Sequence, residues 1–202
     1  MPRAIDIAVF ARAPIPGACK TRLIPTLGAE GAARLHVAMT RRALQTATLA
    51  GLGRVTLWRA DHSSHSFFTD CARDFGVALA DQPQGDLGVR MAAAFAASAP
   101  LLLIGSDCPM LTPDLLCACA DALATNDAVF LPAEDGGYGL VGAHRVIADI
   151  FAGMPWGTSA VMAETRARLT RLDLTWAEPA IVWDVDEPAD LARLHGLGLL
   201  AD

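Results

Sequence analysis

The residues best suited to chemistry cluster in a loop near the N-terminus, FARAPIPGACKTRL. Lys20, Thr21 and Arg22 place an ammonium, a hydroxyl and a guanidinium on three successive residues, and Lys20 is the only lysine in the chain. A lysine point charge beside a forked arginine suits the oxygens of a polyphosphate. The loop is not a P-loop, because Gly17 stands three residues before the lysine. We expect Lys20, Thr21 and Arg22, together with Arg12 and Gly17, to bind the phosphates of a nucleotide.

Two acidic motifs are candidates for holding a metal ion. Asp107 follows the apolar run LLLIG, and an aspartate at the end of a central strand can hold a hard cation through its oxygens. Near the C-terminus, the segment DVDEP carries Asp184 and Asp186. If the strand continues, these two lie on the same side, so that both approach one cation. The alternative for Asp107 is a structural cap of the next turn.

A glycine-rich segment, AEDGGYG, is a candidate for binding the group that reacts with the phosphates. Gly136 and Gly137 allow the backbone to approach a ligand closely. Asp135 is placed to bond hydroxyls and to act as a catalytic residue, while Tyr138 offers a ring for stacking. The alternative is a plain turn between two strands.

Two loop-to-helix junctions, QGDLG and WGT, supply further candidates. The first is expected to present backbone groups to a nucleotide: Gly85, Asp86 and Gly88. The second is expected to line the pocket of the second substrate: Trp156, Gly157 and Thr158. Each signal is weak when it is taken alone.

Composition restricts the class of protein. The 202 residues are 53% hydrophobic and 19% charged, which predicts one globular domain spanning residues 1–202 and excludes a disordered chain. The longest apolar run is shorter than the ~20 residues that a spanning helix needs, and no secretory signal is evident, so we expect a cytoplasmic protein without membrane insertion. Five cysteines without a C-x-x-C pair predict reduced thiols rather than disulfides or a zinc site.

The charge of the chain is distributed unevenly. Residues 1–59 carry a net charge of +7, whereas residues 60–202 carry −13, within an overall net charge of −6. A basic lobe in an acidic protein attracts small anionic ligands, while a nucleic-acid partner would call for a basic surface over the whole domain. The charge pattern therefore favours phosphorylated small molecules.

Hydrophobic periodicity predicts alternating strands and helices. The predicted strands are residues 5–11, 54–60, 77–80, 101–105, 127–131, 138–143 and 181–185. The predicted helices are residues 30–50, 64–75, 86–99, 113–123, 158–169 and 188–194. This alternation indicates an α/β protein with a mostly parallel sheet and helices on both faces. Such sheets bind ligands at the carboxyl ends of their strands, where the motifs above fall.

The ordered motifs FARAPIPGACKTRL, QGDLGVRM, LLLIGSDCP, PAEDGGYGL, PWGT and DVDEPADL resemble those of the DUF2064 family, which is provisionally assigned to the nucleotide-diphospho-sugar transferases of the glycosyltransferase-A fold. The combination K-x-R-L, D-x-P, D-G-G and D-x-D-x-P-x-D-L is similar also to that of phospholactate guanylyltransferases. The resemblance implies a sheet of about seven strands, a nucleotide at its carboxyl edge, and Mg²⁺ or Mn²⁺ at Asp107 and Asp186. Ala18 departs from the family's usual longer basic residue, which leaves Lys20 and Arg22 to hold the phosphates.

Three functions remain open at this point. In nucleotidyl transfer, slightly favoured by the basic loop, Lys20 and Arg22 hold a nucleoside triphosphate while a phosphorylated acceptor attacks and pyrophosphate leaves. In glycosyl transfer, the site holds a nucleoside-diphosphate sugar, Asp107 acts with the metal ion, and Asp135 bonds the sugar or acts as base. The third function is nucleotide binding without turnover.

Overall fold

The computed structural model describes residues 4–60 and 64–196. The strands are β1 (Asp6–Ala11), β2 (Val55–Arg59), β3 (Ala78–Asp81), β4 (Leu101–Gly105), β5 (Ala128–Pro132), β6 (Tyr138–Ala143) and β7 (Trp176–Ala177). The helices are α1 (Ile24–Leu49), α2 (Ser66–Phe75), α3 (Leu87–Ala97), α4 (Pro113–Leu123), α5 (Ala148–Phe151), α6 (Val161–Arg171) and α7 (Pro188–Gly196).

The seven strands form one sheet in the order β3-β2-β1-β4-β6-β5-β7. Strand β6 runs antiparallel to both of its neighbours, and every other pair is parallel. The prediction of a mostly parallel sheet is confirmed. Because β1, β4 and β5 run in the same direction, the loops that follow them and the start of β6 lie at one edge of the sheet.

Helices cover both faces of the sheet. Alternate residues of β1 point to opposite faces, with Ile7 and Val9 in one apolar cluster and Ala8 and Phe10 in the other. The first cluster packs against α1, α2 and α4, and the second against α3, α5 and α6. Among the helices of the described residues, none has the length and apolar character that crossing a bilayer requires.

The prediction of a last strand over residues 181–185 is wrong. Within this segment Val182 alone makes a bridge, to Ala133, and the edge position beside β5 is taken by Trp176–Ala177 instead. Pro179 lies between the residues that pair with β5, Trp176–Ala177, and the bridge at Val182. Because proline has no N–H to donate, it interrupts strand pairing between these two points. The short helix α5 was not predicted either.

The start of α1 also differs from the prediction, which placed it at residue 30. The helix begins at Ile24, but Gly28 has a φ of 70° that breaks the helical geometry, so the continuous part starts close to the predicted residue. A 3-10 turn at Thr21–Leu23 leads into this helix. The loop after β1 therefore enters α1 through two short turns, and these hold Lys20 and Arg22 at the sheet edge.

Candidate active site

Lys20 is the centre of the charged cluster at the carboxyl edge. Its side chain is almost fully buried, and its ammonium donates to the Val185 carbonyl oxygen at 2.6 Å. The Nζ atom also lies 3.0 Å from Asp107 Oδ1 and 3.8 Å from Asp186 Oδ1. The residue adopts a left-handed backbone with a φ of 48°, which is uncommon for any residue but glycine. Lys20 therefore joins the β1 loop, the β4 loop and the C-terminal acidic segment.

Arg22 completes the ion pairs on the solvent side. Its Nη1 donates to Asp186 Oδ2 at 2.8 Å and lies 4.0 Å from Glu187 Oε1. The guanidinium is about two-thirds exposed, with a side-chain exposure of 65%. Exposed pairs of this kind contribute little to stability and are screened by salt. Arg22 is therefore free to exchange its carboxylate for a ligand's phosphate at low cost.

Asp107 stands at the end of β4, where its side chain is half-exposed. Desolvation raises the pKa of this carboxyl, but the charge and hydrogen bond of the Lys20 ammonium and the hydrogen bond of the Ser106 hydroxyl outweigh that effect, so the pKa lies below its ordinary value. Asp107 is therefore an ionised carboxylate at neutral pH. The N-cap of α4 is Thr112, whose Oγ1 accepts from the Leu115 N–H, so Asp107 does not cap that helix.

The C-terminal acidic segment is fixed by its backbone. The Val185 N–H donates to the Asp107 carbonyl at 3.0 Å, and the Val185 side chain is fully buried. The last aspartate of the DVDEPADL motif, Asp190, accepts the backbone N–H groups of Asp186 and Glu187. These hydrogen bonds hold Asp186 and Glu187 in place directly before the first residue of α7. Sequence spacing alone did not identify that role.

Asp184 and Asp186 line different cavities, although they were expected on one side of a strand. Burial is the main cause that raises the pKa of Asp184 to about 6, and the carboxylates of Asp135, Asp186 and Asp107 add to the rise. Four acidic groups therefore meet at this edge. The acidic side chains at this site therefore outnumber the cationic ones.

The first cavity, which we call the cationic cavity, has a volume of about 240 Å³. It brings together six residues predicted from sequence: Arg12, Lys20, Thr21, Arg22, Asp107 and Asp186. His36 also lines it and was missed, because it lies inside the apolar pattern of α1. Its Nε2 lies 3.0 Å from the Arg12 carbonyl, and burial lowers the pKa of His36, which leaves the ring neutral at pH 7.

The second cavity, which we call the aromatic cavity, has a volume of about 190 Å³. It contains six residues predicted to bind a substrate or act on it: Asp135, Gly137, Tyr138, Trp156, Gly157 and Thr158. Asp184, Cys108 and Trp183 line it as well and were not assigned to it from sequence. Asp107 and Cys108 are adjacent in the chain and face the two cavities, so the cavities are neighbours.

Tyr138 and Trp156 form the apolar wall of the aromatic cavity. Their rings meet edge to face, with centroids 6.3 Å apart and an interplanar angle of 84°. The Tyr138 hydroxyl lies against Met91 Sδ, and burial raises the pKa of Tyr138. The buried Trp156 indole N–H has no hydrogen-bond partner among the described residues. The wall is thus built mainly from ring edges and faces.

Gly136 is required by the close approach of two loops. It has a φ of 90°, and a Cβ at this position would collide with the Ser159 carbonyl. Its own carbonyl accepts the Met162 N–H at 2.8 Å, and the next residue, Gly137, donates to Asp135 Oδ1 at 2.9 Å. The two glycines therefore fix Asp135 against the start of α6.

Five predicted residues, all within the described part of the chain, line neither cavity: Gly17, Gly85, Asp86, Gly88 and Gly136. Asp86 is the N-cap of α3 and accepts the Val89 N–H. A Cβ at Gly88 would lie 2.5 Å from the Phe151 carbonyl and 3.2 Å from the Trp156 ring. The QGDLG turn thus packs closely against Trp156, which gives its residues structural roles. A direct contact with a nucleotide stays a prediction for them.

The acidic cluster suits a divalent cation by the chemistry of its donors. Carboxylate oxygens are the ligands that Mg²⁺ and Mn²⁺ prefer, and Asp107 and Asp186 already share one cation, the Lys20 ammonium. The neighbouring carboxylates also contribute to the raised pKa of Asp184, although burial is the larger cause, so further carboxylate oxygens lie close to this pair. Within residues 4–60 and 64–196, however, no three His, Cys, Asp or Glu side chains are grouped closely enough to hold a metal ion.

Comparison with known sequences places the chain in a family. The model of the family described as "Uncharacterized protein conserved in bacteria (DUF2064)" matches residues 43–158, which is more than half of the chain. No curated protein matches the sequence.

Solved structures are similar over nearly the whole chain. A crystal structure from Desulfovibrio desulfuricans G20, provisionally described as a nucleotide-diphospho-sugar transferase, is 27% identical, with a TM-score of 0.87, covering 96% of this chain and 87% of that one. A nucleotidyl transferase from Methanothermobacter thermautotroptrophicus is 14% identical, with a TM-score of 0.62 and coverages of 98% and 99%.

A third similar structure contains a nucleotide and a metal ion. It is the glucosyl-3-phosphoglycerate synthase of Mycobacterium tuberculosis with Mn²⁺, uridine diphosphate and glucosyl-3-phosphoglycerate. It is 10% identical, with a TM-score of 0.58 and coverages of 98% and 77%. At this identity the likeness concerns the fold alone. The structurally similar proteins include both nucleotidyltransferases and glycosyltransferases.

Proposed function

The chain belongs to the DUF2064 family, and we propose that it is a divalent-cation-dependent transferase that moves a nucleotidyl group from a nucleoside triphosphate to a phosphorylated acceptor. The observation that carries this proposal is the pair of neighbouring cavities with opposite character. One is lined by Arg12, Lys20 and Arg22, and the other by aromatic rings and carboxylates. Asp107 lines the first cavity, and the next residue, Cys108, lines the second.

The cationic cavity is suited to the phosphates of the nucleotide. Arg22 is exposed and holds its carboxylate partners only through surface ion pairs, so a triphosphate can replace them. The Lys20 ammonium is held at the boundary by the Val185 carbonyl, within reach of a phosphate bound beside Asp107. These groups position the phosphates and stabilise the negative charge of the leaving pyrophosphate.

Asp107 and Asp186 would hold the divalent cation, with Asp184 close by in the acidic cluster. The bound ion would supply positive charge to the reacting phosphate. His36 lines the same cavity, and because burial lowers its pKa, the ring adds no competing charge at neutral pH. Lys20 keeps the carboxylates together before the cation arrives, because its ammonium lies within 4 Å of both.

The chain supplies no nucleophile of its own in this reaction. Cys108 lines the aromatic cavity, but burial raises the pKa of its thiol to about 11, so the thiolate is scarce at neutral pH. The attacking group therefore comes from the acceptor, whose phosphate reaches the boundary at Asp107. This is direct transfer by positioning and electrostatics.

Glycosyl transfer from a nucleoside-diphosphate sugar is the second candidate. The observation that favours it is the aromatic cavity with two carboxylates, Asp135 and Asp184, because such a cavity can seat a sugar ring beside a base. The description of the Desulfovibrio relative also names this class. In this reaction the diphosphate is the leaving group and Asp135 bonds the sugar or accepts a proton.

Product analysis tests the proposal. The protein is incubated with Mg²⁺ or Mn²⁺, each nucleoside triphosphate and a set of sugar 1-phosphates, and the released phosphates are separated. Nucleotidyl transfer releases pyrophosphate only when an acceptor is present. Release of a nucleoside diphosphate from nucleotide sugars would support glycosyl transfer instead. Binding of nucleotides with no product from either set would leave a non-catalytic nucleotide-binding protein.

A further inference from the structure

The aromatic cavity carries negative charge and no positive charge among its lining residues. Asp135 and Asp184 line it, and none of its described lining residues is Lys, Arg or His. The neighbouring cationic cavity, in contrast, contains three cationic side chains, Arg12, Lys20 and Arg22, against two carboxylates, Asp107 and Asp186. Anionic groups are therefore attracted to one side of Asp107 and repelled on the other.

The other groups of the aromatic cavity suit a hydroxylated ring. Carboxylates accept charge-assisted hydrogen bonds from hydroxyl groups, and Asp135 is exposed at the cavity. The rings of Tyr138 and Trp156 offer apolar surface to C–H groups. A volume of about 190 Å³ accommodates one small ring rather than an extended chain.

We infer that the aromatic cavity binds the ring of a sugar phosphate that carries hydroxyl groups but no negative charge, and that Asp135 makes the cavity reject rings bearing a carboxylate. The inference rests on the proposed function, in which the acceptor's phosphate stays at Asp107. Like charges brought close together at one cavity repel each other. The selection acts on the ring and not on the phosphate, because the phosphate remains on the cationic side.

A matched pair of probes tests this inference. Glucose 1-phosphate and glucuronic acid 1-phosphate differ by one carboxylate on the ring, and the mannose and galactose pairs extend the test to other stereochemistries. Binding is measured by calorimetry with Mg²⁺, both with and without a non-hydrolysable triphosphate. We expect at least one neutral sugar phosphate to bind, and its carboxylated counterpart to bind at least tenfold more weakly.

Asp135→Asn identifies the residue responsible. Asparagine keeps an oxygen for the Gly137 N–H, so the turn is preserved while one charge is removed. We expect this variant to discriminate less: the ratio of its affinity for the neutral sugar phosphate to its affinity for the carboxylated counterpart should be at least threefold lower than in the wild type. Glu134→Gln is the matched control, because the Glu134 carboxylate pairs with Arg193 and does not line the cavity. In this control the ratio should stay at its wild-type value.

Equal affinities for the paired probes, or no binding of any neutral sugar phosphate, would overturn the inference. An unchanged ratio in Asp135→Asn would overturn the role of that residue. The arms without nucleotide report on the charge preference of the cavity by themselves. A failure of nucleotide binding, seen in the other arms, would instead count against the proposed function.

Discussion

At the scale of single residues, Lys20 carries the clearest structural consequence. It is buried in an acidic cluster, and its ammonium contacts a carbonyl 165 residues away in sequence. Removal of a buried partner of this kind leaves carboxylates without compensation. Lys20 therefore holds the site together in the absence of ligands, in addition to any contact with phosphate.

The substitution Lys20→Met tests this role, because methionine fills similar space without charge. We expect it to lower the free energy of unfolding by about 2 kcal/mol at pH 7, the typical value for a hydrogen bond to a charged group. Arg22→Met is the control and should cost less than about 1 kcal/mol, since Arg22 is exposed. Urea unfolding measures both.

The loss of unfolding free energy in Lys20→Met should depend on pH in a definite direction. The pKa of Asp107 is lowered below its ordinary value of 3.8 in the folded protein, so the stabilisation by the pair is present above that value. It is lost as the pH falls through the lower, folded-state pKa. The difference between wild type and Lys20→Met should therefore narrow only below about pH 3.8. Equal losses in Lys20→Met and Arg22→Met would contradict this account.

The carboxyl of Asp184 should affect the pH dependence of stability in the opposite direction. Burial and three neighbouring carboxylates raise the pKa of Asp184 from 3.8 to about 6, so the folded state binds its proton more tightly than the unfolded state. The contribution of Asp184 to stability therefore decreases as the pH rises from about 4 to about 6. In the absence of metal, Asp184→Asn should raise the melting temperature at pH 8 and change it little at pH 4. The exposed Asp121→Asn on α4 should show no such pH-dependent gain.

At the scale of elements, the approach of the β5–β6 loop to the start of α6 shapes the aromatic cavity. Gly136→Ala combines an unfavourable positive φ with a collision at the Ser159 carbonyl. We expect it to cost more stability than Gly157→Ala. Gly157 also has a positive φ, of 78°, but a Cβ at this position would meet no atom within 4 Å. Thermal unfolding of the two variants separates backbone strain from steric contact, and equal losses would show that the contact is unimportant.

The elements also indicate what sequence can predict. Strands β1, β4 and β6 were predicted closely because their apolar runs are bounded by clear turn residues. The placement of Lys20, Asp107 and Asp135 at the same end of the sheet followed from their positions after strands, although Asp135 lines the neighbouring cavity. The edge strand β7 was missed, because two residues give no periodic signal and Pro179 separates them from the apolar run IVWDV. The pairing of Lys20 with Val185 depends on tertiary packing that no local pattern records.

At the scale of the whole molecule, the basic N-terminal lobe and the acidic remainder meet at the carboxyl edge of the sheet. The β1 loop contributes Lys20 and Arg22, whereas β4, the β5–β6 loop and the C-terminal segment contribute the four aspartates. The cationic residues of the first part of the chain thus meet Asp107 and Asp186 in the cationic cavity, while Asp135 and Asp184 line the aromatic cavity. A nucleotide with a divalent cation would be complementary in charge to both: its phosphates to the cationic side chains and its metal ion to the aspartates.

The most direct test of this account is the melting temperature of wild type and Asp107→Asn with nucleotides and metal ions. A ligand that binds only the folded state raises the melting temperature by mass action. We expect a nucleoside triphosphate to stabilise the wild type more with Mg²⁺ or Mn²⁺ than without. Asp107→Asn should lose that metal-dependent part while the protein without ligand melts near the wild-type temperature. No shift in folded wild-type protein with any nucleoside triphosphate or nucleotide sugar would contradict the account.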